Sequence, residues 1–391
     1  MDDFYRIRRL PPYVFAEVNA MKAAARAQGI DIVDLGMGNP DGAPPPHVIE
    51  KLAEAARNPK AHGYSASKGI AGLRKAQAGY YARRFGVDLD PEGEVVVTLG
   101  SKEGLANLAQ AITAPGDVVL APNPSYPIHQ FGFIIAGAAI RSIPAAPGPD
   151  FFHRLELSLR YSVPKPSVLV IGYPSNPTAY VADLAFYEKV VAFAREHKLW
   201  VISDLAYAEI YFGDTPTPSI LQVPGAKEVA IEFTSMSKTY SMAGWRIGFA
   251  VGNRTLINAL TRVKSYLDYG AFTPIQAAAT AALNGPQDIV EANRKLYKAR
   301  RDCLVASFAR AGWEIPPPEA SMFAWVPIPE AFRHLGSMEF AKRLLADAHV
   351  AVAPGVGFGE EGEGFVRIAL VENEQRLRQA ARGVKKFLAG A

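Results

Sequence analysis

Hydrophobic and polar residues form alternating blocks through the middle of the chain. Short apolar runs, rich in β-branched residues, are separated by longer stretches with the apolar spacing of amphipathic helices. The runs are EVVVTL (94–99), DVVLAP (117–122), SVLVIGY (167–173), LWVISD (199–204), EVAIEF (228–233) and RIGFAV (246–251). This alternation predicts an α/β fold in which a mostly parallel sheet is covered by helices on both faces.

The pattern differs on either side of this region. Residues 1–46 carry one helical segment, at 13–28, and a glycine- and proline-rich stretch at 34–46 whose backbone can approach another group closely. Beyond residue 285, the sequence predicts a long charged helix at 287–311, then the strand-like run MFAWVPI, another helix, the runs VAVAP and FVRIAL, and a final helix. We therefore expect an N-terminal arm that is also part of a small domain (1–46), a large domain (47–285) and a C-terminal small α+β domain (286–391).

Composition and charge narrow the class of protein. The 391 residues are 49% hydrophobic and 20% charged, which is typical of soluble globular proteins. The net charge of +4 is not gathered into blocks, so no nucleic-acid or membrane surface is expected. There is no signal-peptide pattern and no apolar stretch of about 20 residues, and we expect a cytoplasmic protein.

The same sequence lacks the motifs of several common sites. One cysteine, Cys303, permits neither an internal disulfide nor a multi-cysteine zinc site. The seven histidines show no metal-ligand spacing, and no GxSxG or Walker motif is present. We expect no metal site, serine hydrolase or nucleoside-triphosphate site.

Polar residues follow several of the predicted strands, where ligands of parallel sheets gather. After the first run, Ser101 and Lys102 open a helix whose N–H groups suit a phosphate, although Ser101 as a plain cap fits equally. The other candidates are Tyr126, to stack on a flat ring, Asn176, to donate a hydrogen bond, and Asp204, to pair with a cation. Ordinary packing, a turn and a helix cap are the alternatives for these three.

The segment Ser235–Gly248, SMSKTYSMAGWRIG, holds the most specific chemistry. An amine buried beside Arg246 is disfavoured in its charged form, so Lys238 is suited to condense with an aldehyde. The hydroxyls of Ser235 and Ser237, with the Arg246 guanidinium, suit a phosphate. An aldehyde and a phosphate on one small molecule describe pyridoxal phosphate. A surface lysine in a polar turn is the alternative when the SxSK core is taken alone.

Arg367 lies inside the apolar run GFVRIAL near the C-terminus. A buried charge needs a partner, and the planar guanidinium can hold a carboxylate by two hydrogen bonds. Either a substrate carboxylate or an internal Asp or Glu would satisfy it.

The Lys238 segment matches the SxSKxYxxxGxRxG signature, and the chain resembles class I and II pyridoxal-phosphate aminotransferases of fold type I along nearly its whole length. The resemblance implies a mostly parallel seven-stranded sheet sandwiched by helices, a smaller α+β domain and a homodimer. It also implies that Lys238 binds the aldehyde of pyridoxal 5'-phosphate covalently. The implied phosphate ligands are Ser101, Lys102, Ser235, Ser237, Arg246 and, from the neighbouring subunit, Tyr64; the implied ring contacts are Tyr126, Asn176, Asp204 and Tyr207.

The resemblance further implies substrate contacts. Arg367 and the backbone at Gly38 would hold the substrate carboxylate, with Asn176 nearby, and Tyr13, Phe15 and Tyr269 are suited to line the pocket. Lys238 would remove the Cα proton in a ping-pong amino transfer between an amino acid and a 2-oxo acid.

Segments such as RIRRLPPYVF, HGYSASKGI and KSYLDYGAFTPIQ most resemble bacterial glutamate–pyruvate (alanine) aminotransferases. We therefore favour L-alanine and 2-oxoglutarate as substrates. Aspartate, aromatic, methionine and LL-diaminopimelate specificities remain alternatives, as do a carbon–sulfur lyase and a cofactor-binding regulatory module. Residues 265–274 contain no Lys or Arg, which argues against one type of aspartate enzyme and leaves open which residue would bind the second carboxylate of 2-oxoglutarate.

Overall fold

The computed structural model describes residues 4–11 and 14–390. The strands are β1 (Val33–Asp34), β2 (Val95–Thr98), β3 (Val118–Asn123), β4 (Ala139–Pro144), β5 (Pro166–Ile171), β6 (Trp200–Asp204), β7 (Ala230–Ser235), β8 (Gly248–Gly252), β9 (Phe323–Pro327), β10 (Val350–Ala351), β11 (Ala353–Pro354) and β12 (Phe365–Ala369). The α-helices are α1 (Tyr5–Arg8), α2 (Phe15–Ala27), α3 (Pro46–Ala56), α4 (Ala71–Phe85), α5 (Ser101–Ile112), α6 (Ile128–Ala136), α7 (Pro149–Tyr161), α8 (Leu184–His197), α9 (Ala226–Val229), α10 (Met236–Thr239), α11 (Arg254–Leu267), α12 (Thr273–Asn284), α13 (Asp288–Arg310), α14 (Gly336–Ala348) and α15 (Glu374–Ala389).

Seven strands form the central sheet, in the order β2-β8-β7-β6-β5-β3-β4. Neighbours from β7 through β6, β5 and β3 to β4 are parallel, whereas β8 is antiparallel to both β2 and β7. The predicted α/β architecture with a mostly parallel seven-stranded sheet is confirmed. Helices cover both faces because alternate side chains of one strand enter different cores: in β5, Leu169 and Ile171 belong to one cluster and Val168 and Val170 to the other.

Strand β4 is the one strand of this sheet that none of the six apolar runs predicted. It lies at the sheet edge, and Ala139, Arg141 and Ser142 are exposed to solvent. An edge strand buries less of its surface, so it lacks the continuous apolar pattern of the central strands.

A separate hydrophobic cluster lies in the remainder of the molecule. It includes Val33 and Leu35 together with residues of β9, β12, α13, α14 and α15. There β11, β12 and β9 form an antiparallel sheet, and β1 pairs with β10 in parallel. The N-terminal segment thus joins a core built from the C-terminal part of the chain. Within the described residues, no helix has the length and apolarity needed to cross a membrane.

Glu232, in the middle of β7, is a fully buried carboxyl group. It accepts hydrogen bonds from the hydroxyls of Tyr81, Ser203 and Ser219 and from the backbone N–H of Ile220. Burial raises the pKa of Glu232 to about 7, although these hydrogen bonds oppose the rise. The folded protein therefore binds a proton that the unfolded chain, with a carboxyl pKa of 4.5, has already released at intermediate pH.

We expect Glu232→Gln to change how stability depends on pH. A raised folded-state pKa contributes stability that is full below about 4.5 and is lost as the pH rises to about 7. The neutral variant does not lose this stability. The difference between its thermal midpoint and that of wild type should therefore increase as the pH rises across that interval. Thermal denaturation at a series of pH values measures the difference. Glu188→Gln, at an exposed position of α8, is the control. A difference in thermal midpoint between Glu232→Gln and wild type that stays constant with pH would contradict the expectation.

Candidate active site

A cavity of about 390 Å³ lies at the carboxyl ends of the parallel strands. Asp204 is the last residue of β6 and Ser235 the last residue of β7, while α5 begins at Ser101 after β2. These elements bring together residues that are far apart in sequence. The predicted site residues lining the cavity are Gly38, Ser101, Lys102, Tyr126, Asn176, Asp204, Tyr207, Ser235, Ser237, Lys238, Arg246 and Arg367.

Phe15 also lines the cavity, whereas Tyr64 and Tyr269, which were also predicted at the site, are not among the lining residues. Tyr64 is 88% exposed and stacks on Tyr269, with ring centroids 4.4 Å apart. Tyr13 lies outside the described residues.

Lys238 lies on the short helix α10, directly after β7. Its Nζ donates a hydrogen bond to the backbone oxygen of Gly38 at 3.0 Å. Burial, together with the positive charges of Arg367 and Arg246, lowers the pKa of Lys238 from 10.5 to about 8. The neutral form of this amine is therefore more populated near neutral pH than that of an ordinary lysine, and it is the form that attacks a carbonyl carbon or accepts a proton.

The beginning of α5 and the Arg246 guanidinium meet at one end of the cavity. Gly100 precedes the helix with a φ of 85°, and a Cβ atom there would lie 2.2 Å from Nη2 of Arg246. The guanidinium donates to the backbone oxygens of Ala243 and Leu99. The helix begins at Ser101 without a side-chain cap, contrary to the alternative that Ser101 is itself the cap. Free backbone N–H groups beside Lys102 and Arg246 make this end suited to an anion.

Asp204 has a partner that the sequence did not indicate. Oδ2 of this buried carboxylate lies 2.9 Å from Nε2 of His129, and Oδ1 accepts a hydrogen bond from the backbone N–H of Ala206 at 3.2 Å. The ring of His129 lies edge-on to the ring of Tyr126, with centroids 5.9 Å apart. The sequence analysis assigned His129 no role in the site, because its contact with Asp204 spans 75 residues of sequence. It lies three residues after Tyr126, on the first turn of α6, which is the one local clue.

Arg367, in the middle of β12, lines the same cavity. Its guanidinium donates to Oδ1 of Asn176 at 2.8 Å and to the backbone oxygen of Gly36 at 2.9 Å. The guanidinium carbon lies 4.1 Å from the ring centroid of Phe323 and 4.6 Å from that of Phe358. Two aromatic rings thus fix its orientation, and neither was predicted as a site residue. Phe323 also restricts position 38 to glycine, because a Cβ atom on Gly38 would lie 2.4 Å from the Phe323 ring.

Tyr207 and Asn176 also line the cavity. Burial raises the pKa of the Tyr207 hydroxyl far above 10, so this group remains a neutral hydrogen-bond donor. Because Oδ1 of Asn176 already accepts from Arg367, its amide N–H groups are the part available to a ligand. The cavity therefore combines a low-pKa amine, an anion site, a carboxylate and a guanidinium.

Comparison with known proteins agrees with this chemistry. Residues 30–384 match the profile of the family "Aminotransferase class I and II". The chain is 55% identical to the glutamate-pyruvate aminotransferase AlaC of Escherichia coli (strain K12), over 98% of this chain and 93% of that protein. It is 43% identical to the LL-diaminopimelate aminotransferase of Moorella thermoacetica, over 99% of both chains.

A solved structure supports the same assignment. Substrate-bound BacF from Bacillus subtilis superposes with a TM-score of 0.91 at 37% identity, covering 99% of this chain and 98% of BacF. The chain belongs to the class I and II aminotransferases. It is therefore a transaminase, an enzyme that moves an amino group between an amino acid and a 2-oxo acid.

The contact between His129 and Asp204 generates a prediction. His129→Leu removes the hydrogen bond that orients a buried carboxylate, so kcat/KM should fall about 10- to 100-fold, as for loss of a hydrogen bond to a charged group. His129→Gln, which keeps a side-chain N–H, should retain more activity. His153→Leu, on the exposed face of α7, is the control for histidine loss. Steady-state kinetics test this, and wild-type activity of His129→Leu would refute a role in orienting Asp204.

Proposed function

We propose that this enzyme is a pyridoxal-phosphate-dependent aminotransferase that transfers the amino group of L-alanine to 2-oxoglutarate, giving pyruvate and L-glutamate. The observation that carries the proposal is the Lys238 amine, whose pKa is lowered to about 8 in a cavity that it shares with Arg367 and an anion-binding helix start. The 55% identity to a glutamate-pyruvate aminotransferase supports the substrate pair.

The residues of the cavity fit pyridoxal 5'-phosphate. An anion site, a reactive amine and a buried carboxylate match its phosphate, its aldehyde and its ring nitrogen in that order. When bound, the cofactor would supply a carbonyl carbon for amines and a protonated ring that stabilises negative charge on the substrate Cα. The residues that would hold it are Ser101, Lys102, Tyr126, Asn176, Asp204, Tyr207, Ser235, Ser237, Lys238 and Arg246.

Three residues would bind the substrate or take part in the proton transfer. The Arg367 guanidinium binds the α-carboxylate, and its position between Phe323 and Phe358 keeps it pointed at that group. Lys238, once its amine is free, removes the proton from the substrate Cα, for which a pKa of about 8 is well matched to physiological pH. The Asp204 carboxylate, oriented by its contact with His129, would pair with the ring nitrogen of the cofactor.

The reaction proceeds as two half-reactions that use the same groups. The 2-oxo acid formed from the first amino acid leaves before the second 2-oxo acid binds. Arg367 then binds the carboxylate of the second substrate, and Lys238 moves a proton to its Cα. One cavity thus serves both substrates, so the specificity of each half-reaction depends on the side-chain end of that cavity.

The exposed rings of Tyr64 and Tyr269 support a homodimer with shared active sites. Large apolar side chains in contact on a surface are typical of interaction sites. The exposed set around this pair is Tyr64 at 88%, Tyr266 at 86%, Leu267 at 57%, Tyr269 at 62% and Phe272 at 43%. In a dimer, Tyr64 would supply a hydroxyl to the phosphate in the cavity of the partner subunit.

The role of Lys238 predicts loss of both attachment and turnover in Lys238→Ala. Borohydride treatment of the wild-type holoenzyme should add a pyridoxyl-phosphate mass to the peptide containing Lys238, and the variant should show no such addition. The variant's kcat should fall by about 10³-fold or more, because the general base is gone. Lys75→Ala, at an exposed position of α4, is the control. An active variant, or attachment at another lysine, would refute the assignment.

The choice of substrates predicts a specific activity pattern. With 2-oxoglutarate as acceptor, L-alanine should give the highest kcat/KM in a panel of L-alanine, L-aspartate, L-phenylalanine, L-methionine and LL-diaminopimelate. Preference for LL-diaminopimelate would instead favour the activity named for the 43% identical relative. Coupled detection of pyruvate and glutamate measures the first reaction, and turnover without an added 2-oxo acid would indicate a lyase.

A further inference from the structure

Helix α2 forms one wall of the active-site cavity and places a cation there. Phe15, Val18, Asn19 and Lys22 of this helix all line the cavity. The Lys22 side chain is 10% exposed, and its Nζ lies 3.0 Å from Oδ2 of Asp34. The Lys22 ammonium has three N–H donors, and within the described chain this is the one hydrogen bond that it makes.

Asp34 is shared by two cations. Arg26 also donates to Oδ2 of Asp34, at 3.2 Å, but its side chain is 55% exposed and does not line the cavity. One carboxylate therefore faces two positive charges. The cluster of Lys22, Arg26 and Asp34 carries a surplus positive charge, and Lys22 is the cation of the cluster that lines the cavity.

The same cluster is joined to the substrate-carboxylate site. Oδ1 of Asp34 accepts a hydrogen bond from the backbone N–H of Gly36 at 3.1 Å, and the backbone oxygen of Gly36 accepts from Arg367 at 2.9 Å. Lys22 and Arg367 thus belong to one chain of contacts at the substrate end of the cavity. This places a second cation close to the residue that binds the first carboxylate.

The lysine and arginine residues among the described cavity-lining residues are Lys22, Lys102, Lys238, Arg246 and Arg367. The proposed function assigns the last four to the cofactor and to the substrate α-carboxylate, and it leaves Lys22 without a role. Residues 265–274 contain no Lys or Arg that could bind a second carboxylate.

We propose that Lys22 is the specificity-determining residue that binds the second carboxylate of the dicarboxylic substrates, 2-oxoglutarate and L-glutamate. The proposal rests on the proposed function. A second carboxylate would neutralise the surplus charge and take up donors of the ammonium that Asp34 leaves unused. Alanine and pyruvate have no such group, so one cavity accepts both substrate pairs while only one pair uses Lys22.

Single half-reactions of the holoenzyme test this assignment. In Lys22→Met, kcat/KM for L-glutamate and 2-oxoglutarate should fall about 10- to 100-fold, because a charge-assisted contact is lost. Values for L-alanine and pyruvate should change little. Lys22→Arg should recover part of the loss. Lys75→Met, at an exposed position of α4 that does not line the cavity, is the control for loss of a lysine, and both substrate pairs should be unaffected.

Binding of unreactive acids gives a readout that does not depend on turnover. Glutarate carries two carboxylates, and butyrate is the same acid with one carboxylate replaced by hydrogen. Calorimetry on the holoenzyme measures the binding of both. Lys22→Met should weaken glutarate binding about 10- to 100-fold and leave butyrate binding unchanged.

Two results would overturn the assignment, and they are distinguishable. Equal losses for both substrate pairs, or for both acids, would show that Lys22 only supports the Asp34–Gly36–Arg367 contacts. A wild-type enzyme that neither uses L-glutamate nor prefers glutarate to butyrate would show that the proposed substrate pair is wrong.

Discussion

Placing the Lys238 amine among positive charges is the constraint on which the active site depends. Burial and the nearby guanidinium groups of Arg246 and Arg367 all disfavour the ammonium form. Each guanidinium is itself oriented by backbone oxygens, from Leu99 and Ala243 for one and from Gly36 for the other. The reactivity of one amine therefore rests on loops of the central sheet and on strand β12 of the small sheet. The central sheet contributes to this arrangement, because it fixes where its loops begin.

Much of this arrangement was predictable from local sequence. The central strands are apolar on both faces, so their runs are continuous and easily recognised, and polar residues that follow them converge at one edge. Lys238 and Asp204 were identified in this way, and Arg367 was identified as a charge inside an apolar run. The structure places all three on one cavity. The edge strand β4 was not predicted, because Arg141 and its neighbours face solvent.

The residues that sequence analysis missed act through contacts between distant segments. His129 reaches Asp204 across 75 residues, and Phe323 packs on Arg367 from a neighbouring strand of the small sheet. Nothing in the spacing of these residues distinguishes them from ordinary core or surface positions. Lys22 lies in a predicted helix, and its position on the cavity depends on how the N-terminal segment joins the core formed by the C-terminal part of the chain. Contacts of this kind are determined by tertiary packing, so the hydrophobic periodicity of the sequence does not predict them.

The glycine before α5 limits how this enzyme can be redesigned. Its φ of 85° disfavours any side chain, and even a methyl group would meet the Arg246 guanidinium. Mutational libraries aimed at new substrates gain nothing by sampling position 100, because every substitution there displaces a cation from the anion site. Helix α2, which also lines the cavity, carries no comparable backbone restriction. Diversity introduced at Val18 and Asn19 would alter the shape of the cavity while leaving the anion site intact.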